Sequence, residues 1–204
     1  GRRASPSIKH PPAAPYKVSL TSFLDFFTAK TVSQSQTVAR KAARELRTEY
    51  EPQFDLYRDV RDKIRASGGK QIAMDLSFAP AAKAKHYPEI ISGWNRHIGR
   101  KAFDTTVVKR KDWESDDLIV RVNPEVALVR NGTVTYTKLY FKTARPTKAQ
   151  VEVIYQLMHE MLVIEPHEHV GILDVRRGKL VTPPGSVPDP ELAVALRIEA
   201  TRFR

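Results

Sequence analysis

Apolar positions repeat along this chain at two periods, and the switch between them divides it. In the first half the repeat is helical. Leu20, Phe23, Leu24 and Phe27 share one face with Ser19 as a cap, and Val38, Ala42 and Leu46 form a thin stripe within residues 35–51. Pro52 opens a third helix whose Phe54, Tyr57, Val60 and Ile64 turn inward, and Gly68 and Gly69 stop it. Residues 70–85 carry little signal beyond "IAMDL", which suits the start of a short helix. Pro88 then stands at the first position of a helix with Ile91, Trp94 and Ile98 on one face and Gly99 at its end. Residues 102–117 are polar.

Beyond Asp116 the period is two. "LIVRV", "EVALVR" and "TVTYTKLYFK" read as three consecutive strands. "RPTKAQVEVIYQLMHEML" returns to helical spacing, with a capping box from Thr147 to Gln150 and a buried stripe of Val151, Ile154, Met158 and Leu162. "HVGILDV" is a fourth strand, Arg177-Gly178 turns it into "KLVTP", and Asp189 caps a last helix that docks through Leu192, Leu196 and Ile198. The expected fold is α+β. A helical N-terminal half packs on a small, mostly antiparallel sheet (strand-strand-strand-helix-strand), followed by a C-terminal helix. Residues 1–16, rich in Pro, Ala and Ser, read as a flexible arm. Residues 17–204 read as a single domain, helical over about 17–100 and sheet-containing over about 116–204.

Asn131-Gly132 is a strong hairpin signal, because a two-residue type I′ turn needs positive φ at both positions. With those two as the loop, Arg130 pairs with Thr133, Val129 faces Val134, Ala127 faces Tyr136, and Glu125 lies across from Lys138. An acid and an amine thirteen residues apart thus become neighbours, with Cβ atoms roughly 5 Å apart. The simplest reading of that pair is a cross-strand salt bridge on a half-buried face.

Composition narrows the function classes. The 204 residues are 41% hydrophobic, enough for a sizeable core, and no apolar run reaches membrane-spanning length. The absence of cysteine excludes a disulfide framework and thiolate chemistry, and leads us to expect a cytoplasmic protein. A formal net charge of +11 favours anionic partners, nucleic acid first and acidic proteins second. Arg40, Lys41, Arg44 and Arg47 crowd one helix, and Arg176, Arg177 and Lys179 form a basic tip at a turn. Lys109, Arg110 and Lys111 adjoin Trp113, an arrangement able to stack a base. His159, His167 and His169 lack the spacing of a metal-binding helix, so no metal is expected there.

Pro124-Glu125 and Tyr136-Thr137-Lys138, set among strand, strand, strand, helix and strand, resemble the core of PD-(D/E)XK, or restriction-endonuclease-like, nucleases over about residues 116–182. The resemblance implies Glu125 and Lys138 as candidate catalytic residues. In active members the acids hold Mg²⁺, which polarises the phosphodiester and generates hydroxide, and the lysine steadies the phosphate. Tyr136 stands where the family has its second acid, so the core reads as degenerate. Gln150 and Tyr155 are loosely similar to the glutamine and tyrosine that follow the motif in some members. Asp174, an acid inside an apolar strand, is the candidate replacement for the missing ligand, with Arg176 as its alternative structural partner. "KVSLTSFLDF", "VNPEVAL", "TKLYFK" and "GILDVRRGKLV" also resemble an uncharacterised actinobacterial protein family, which implies no activity.

Three expectations follow. The first is a non-catalytic, basic nucleic-acid-binding protein with no cofactor. The second is an active Mg²⁺-dependent nuclease working through Glu125, Lys138 and Asp174. The third is an interaction domain that docks an acidic protein or its own copy.

Overall fold

The computed structural model describes residues 16–27, 55–116 and 118–202. Arg40, Lys41, Arg44 and Arg47 lie outside these, as does the arm up to residue 15. The described elements begin with strand β1 (Tyr16–Ser19) and helices α1 (Leu20–Phe27), α2 (Arg58–Ala66) and α3 (Ala81–Ile98). Strands β2 (Asp104–Thr105), β3 (Lys111–Ser115), β4 (Leu118–Val122), β5 (Val126–Arg130) and β6 (Thr133–Tyr140) follow. Helix α4 (Lys148–Leu162), strands β7 (Glu168–Asp174) and β8 (Lys179–Val181), and helix α5 (Pro190–Thr201) complete the order. The class is α+β with a C-terminal helix, and four of the six strand pairings are antiparallel.

The strands divide between two sheets, ordered β1-β4-β3 and β2-β5-β6-β7-β8. This corrects the expectation of one sheet: "LIVRV" does not pair with "EVALVR" but lies between β1, to which it is parallel, and β3. The short β2 takes the place beside β5. Strand β3 falls in a stretch that looks polar because its outward residues are charged, while Trp113 and Ser115 alternate inward. Trp113 is therefore core, 1% exposed, and is no surface platform. Strand β6 is parallel to β7, which requires a crossover, and α4 supplies it from the capping box at Thr147 and Gln150.

Pleat alternation gives the five-stranded sheet two buried faces. Ala127, Tyr136 and Ile172 face α1, α4, α5 and the three-stranded sheet. Val126, Leu128, Leu139, Phe141, Leu173 and Val175 face α2 and α3, where Val60, Ile64, Tyr87, Ile90, Trp94 and Ile98 cover them. Helix α3 starts at Ala81, seven residues before Pro88, which sits in its interior. The good helix formers of "AAKAK" extend it, and burial of Tyr87, Ile90 and Trp94 offsets the roughly 3 kcal/mol that an interior proline costs. "IAMDL" is not helical; Asn95 holds it by a pair of hydrogen bonds with Ile72 N–H (2.7 Å) and C=O (2.8 Å). In α5, Leu196 and Ala200 are buried, whereas Ile198 is 58% exposed and does not dock.

Candidate functional site

The hairpin adopts the predicted register from Arg130↔Thr133 to Val126↔Thr137, with φ of 51° at Asn131 and 75° at Gly132. Glu125 and Lys138 do meet: Lys138 Nζ donates to Glu125 Oε1 at 2.6 Å. Glu125 N–H reaches Thr137 O at 3.1 Å although Thr137 already pairs with Val126, so two residues face one in a bulge. Glu125 Oε2 then accepts the Leu139 N–H at 2.7 Å. Both carboxylate oxygens are thus engaged on a side chain 5% exposed. The pair borders a nook of about 130 Å³ shared with Tyr57, Arg61 and Gln150. Tyr155 belongs elsewhere, its hydroxyl donating to Val181 O at 2.6 Å.

Tyr136 turns away from this nook. It is buried and donates to Glu168 Oε1 at 3.0 Å. Glu168 also accepts from Lys109 and from the Ile164 and Glu165 N–H groups. The Lys109 hydrogen bond, aided by those donors against the cost of burial, brings the Glu168 carboxyl down to about 2. The stretch around His167 and His169 thus carries a structural acid. Among the described residues no group of three or more His, Asp or Glu side chains has the geometry to hold a metal ion.

Asp174 shares a sheet face with Lys138, because Lys138 aligns with Ile172 and Tyr140 with Asp174 in parallel register. It lines a different and larger cleft, however, of about 610 Å³, beside the β7–β8 turn. Asp174 Oδ2 accepts from Arg177 Nη1 at 2.8 Å, and Oδ1 has no partner. The partner expected from strand alternation was Arg176. That alternation ends with β7 at Asp174, and Arg176 instead points back under α3. There it donates to Phe141 O (2.6 Å), Glu89 (2.8 Å) and the Tyr57 hydroxyl (3.2 Å). Arg176 is 4% exposed, so the basic tip consists of Arg177 and Lys179.

Two glycines bring helix and turn together. A Cβ on Gly93 would lie 1.7 Å from Val175 O, and one on Gly178, at φ 62°, would lie 2.5 Å from Gly93 O. Backbone therefore packs on backbone, and the last turns of α3 carry Arg96 to the turn, where its Nη1 donates to Arg177 O at 3.1 Å. Arg177 Nη2 donates to Thr143 O at 2.9 Å, holding its charge at the cleft mouth. Arg145 and Lys179 also line the cleft, as does Glu89, whose carboxylate pairs with Arg176; Arg145 and Lys179 are exposed and make no ion pair among the described residues. Sequence reading missed Arg96 and Arg145, which are separated from the turn by some 80 and 30 residues of chain. Arg-Pro immediately before the capping box was the available hint for Arg145.

No protein-family model, curated protein or solved structure matches the chain.

Proposed function

We propose that the protein is a basic nucleic-acid-binding protein whose nuclease-like core is degenerate, with the cleft beside the β7–β8 turn as its phosphate-binding surface. The observation that carries this reading is the convergence of Arg96, Arg145, Arg177 and Lys179 from three parts of the chain on one cleft, three of them without a carboxylate partner among the described residues. Lysine and arginine side chains left unpaired around a concavity suit phosphate oxygens, and the resulting affinity is salt-dependent. Fluorescence anisotropy with labelled DNA and RNA, titrated with salt, tests it. Binding should weaken linearly on a log–log plot, and Arg145→Ala or Lys179→Ala should each lower the slope by about 1. Binding that ignores salt would favour an acidic protein or a second copy as partner, and would sink this reading.

The Mg²⁺-dependent nuclease is favoured by one observation, the contact of Lys138 with Glu125 on the sheet face that Lys138 shares with Asp174. The donor set does not suit the ion. Lys138 and Leu139 engage both Glu125 oxygens, Arg177 engages Asp174 Oδ2, and only Asp174 Oδ1 is uncommitted, whereas Mg²⁺ requires near-octahedral oxygen ligation. Incubation of plasmid with Mg²⁺ or Mn²⁺ should leave it intact. Cleavage lost in both Glu125→Ala and Lys138→Ala would reverse this order of preference.

A further inference from the structure

A second, smaller cleft of about 230 Å³ is lined by His97, Lys101, Phe103, Arg130, Thr135 and Leu180 among others. Leu180 also lines the first cleft, and consecutive residues of α3 border the two, Arg96 the first and His97 the second. The clefts are thus neighbours on either side of one exposed leucine, itself 51% accessible. The floor of the second is low because β7 has Gly171 there. A Cβ at that position would come within 3.2 Å of Thr135 Cγ2 and 3.4 Å of Leu180 Cδ2.

Phe103 is the distinctive feature of this second cleft. It is half-buried, lies against the His97 ring at 5.9 Å between centroids and 22° between planes, and still borders the cavity. Arg130 and Lys101 carry their charges 5.9 and 6.0 Å from its centroid. The cation–ring contacts keep positive charge beside an aromatic surface, which is the chemistry of a base-stacking position next to a phosphate path. Threonine hydroxyls on β6 offer donors and acceptors to a base edge.

We propose that the two clefts form one site for a single nucleic-acid strand. Its phosphates lie along Arg96, Arg145, Arg177 and Lys179, the strand crosses Leu180, and one unstacked base sits against Phe103. The proposal rests on the nucleic-acid-binding reading above and adds the strand state of the ligand. A base inside a duplex has both faces occupied by its neighbours and cannot enter a pocket bordered by an aromatic ring. A single strand presents its bases freely.

The test uses the full chain and a labelled single-stranded DNA of about 15 nucleotides, alone and annealed to its complement. The wild type should prefer the single strand. Phe103→Leu, which retains apolar volume, should weaken single-strand binding about 10-fold without changing the salt slope, and Phe103→Trp should retain it. The variant Leu180→Asp, at an exposed position, should also lose single-strand binding through repulsion at the crossing, and serves if Phe103 variants fail to fold. Equal affinity for the duplex, or single-strand binding unchanged in both Phe103→Leu and Leu180→Asp, overturns this inference while leaving the phosphate-binding reading intact. Absence of binding to either form at low salt overturns both.

Discussion

The Glu125–Lys138 nook and the cleft beside the β7–β8 turn draw on the same chemistry, a buried acid paired with a base. They differ in how many of their polar atoms are already spoken for. In the nook, the carboxylate meets the lysine and the Leu139 N–H, and a bulge in β5 positions it for the second contact. In the cleft, Asp174 meets only Arg177 and its other oxygen is buried without a partner, while Arg96, Arg145 and Lys179 have no carboxylate among the described residues. A satisfied buried pair is expensive to disturb and has nothing left to offer a ligand; an open cluster contributes little to stability and retains its binding capacity. Residue type alone therefore did not separate structure from candidate function here.

The contrast can be broken by substitution. The largest effect is expected from Gly93→Ala, whose Cβ would collide with Val175 O and drive α3 off the turn. Urea denaturation should show a loss of more than about 4 kcal/mol, with the cleft lost as well. Lys138→Ala strands Glu125 in the interior and should cost about 3–5 kcal/mol, while Glu125→Gln with Lys138→Met should recover most of it. A cost below about 1 kcal/mol for Lys138→Ala would show that the nook is as open as the cleft.

A smaller effect concerns pH. Burial, reinforced by Lys101, lowers His97 from 6.5 to about 4, so the folded state holds this imidazole neutral. The unfolded chain takes up the proton first as pH falls. Stability is therefore full above 6.5, declines by up to about 3 kcal/mol as pH drops to about 4, and is level below that as far as His97 is concerned. His97→Phe should flatten that part of the curve of urea midpoint against pH. Smallest of all, Arg145→Ala and Lys179→Ala should leave stability within about 0.5 kcal/mol, since both side chains are exposed and unpaired. A larger loss would give those cations a structural role and remove the contrast between the two regions.

Local chemistry determined much of this molecule, and it was legible in the chain. Asn131-Gly132 imposes its turn by its backbone conformation and sets the register to Val126↔Thr137; Glu125 then meets Lys138 through a bulge opposite Thr137 rather than by the expected direct pairing. Thr147 and Gln150 cap α4 reciprocally from three residues apart, and the Asp189 carboxylate caps α5 by accepting the Glu191 and Leu192 N–H groups. These signals act within a few residues, where spacing and side-chain type suffice. What only the tertiary structure decided involves partners far apart in sequence. Strand β4 joins β1 rather than β5, Arg176 turns inward to Glu89 and Tyr57, and Tyr136 serves Glu168 instead of the nook. Arg96 and Arg145 reach the turn because Gly93 and Gly178 let a helix touch it, and Phe103 meets Arg130 across a sheet. Such pairings depend on which faces remain to be buried once the core has assembled, and hydrophobic burial is non-directional, so residue order does not encode them locally.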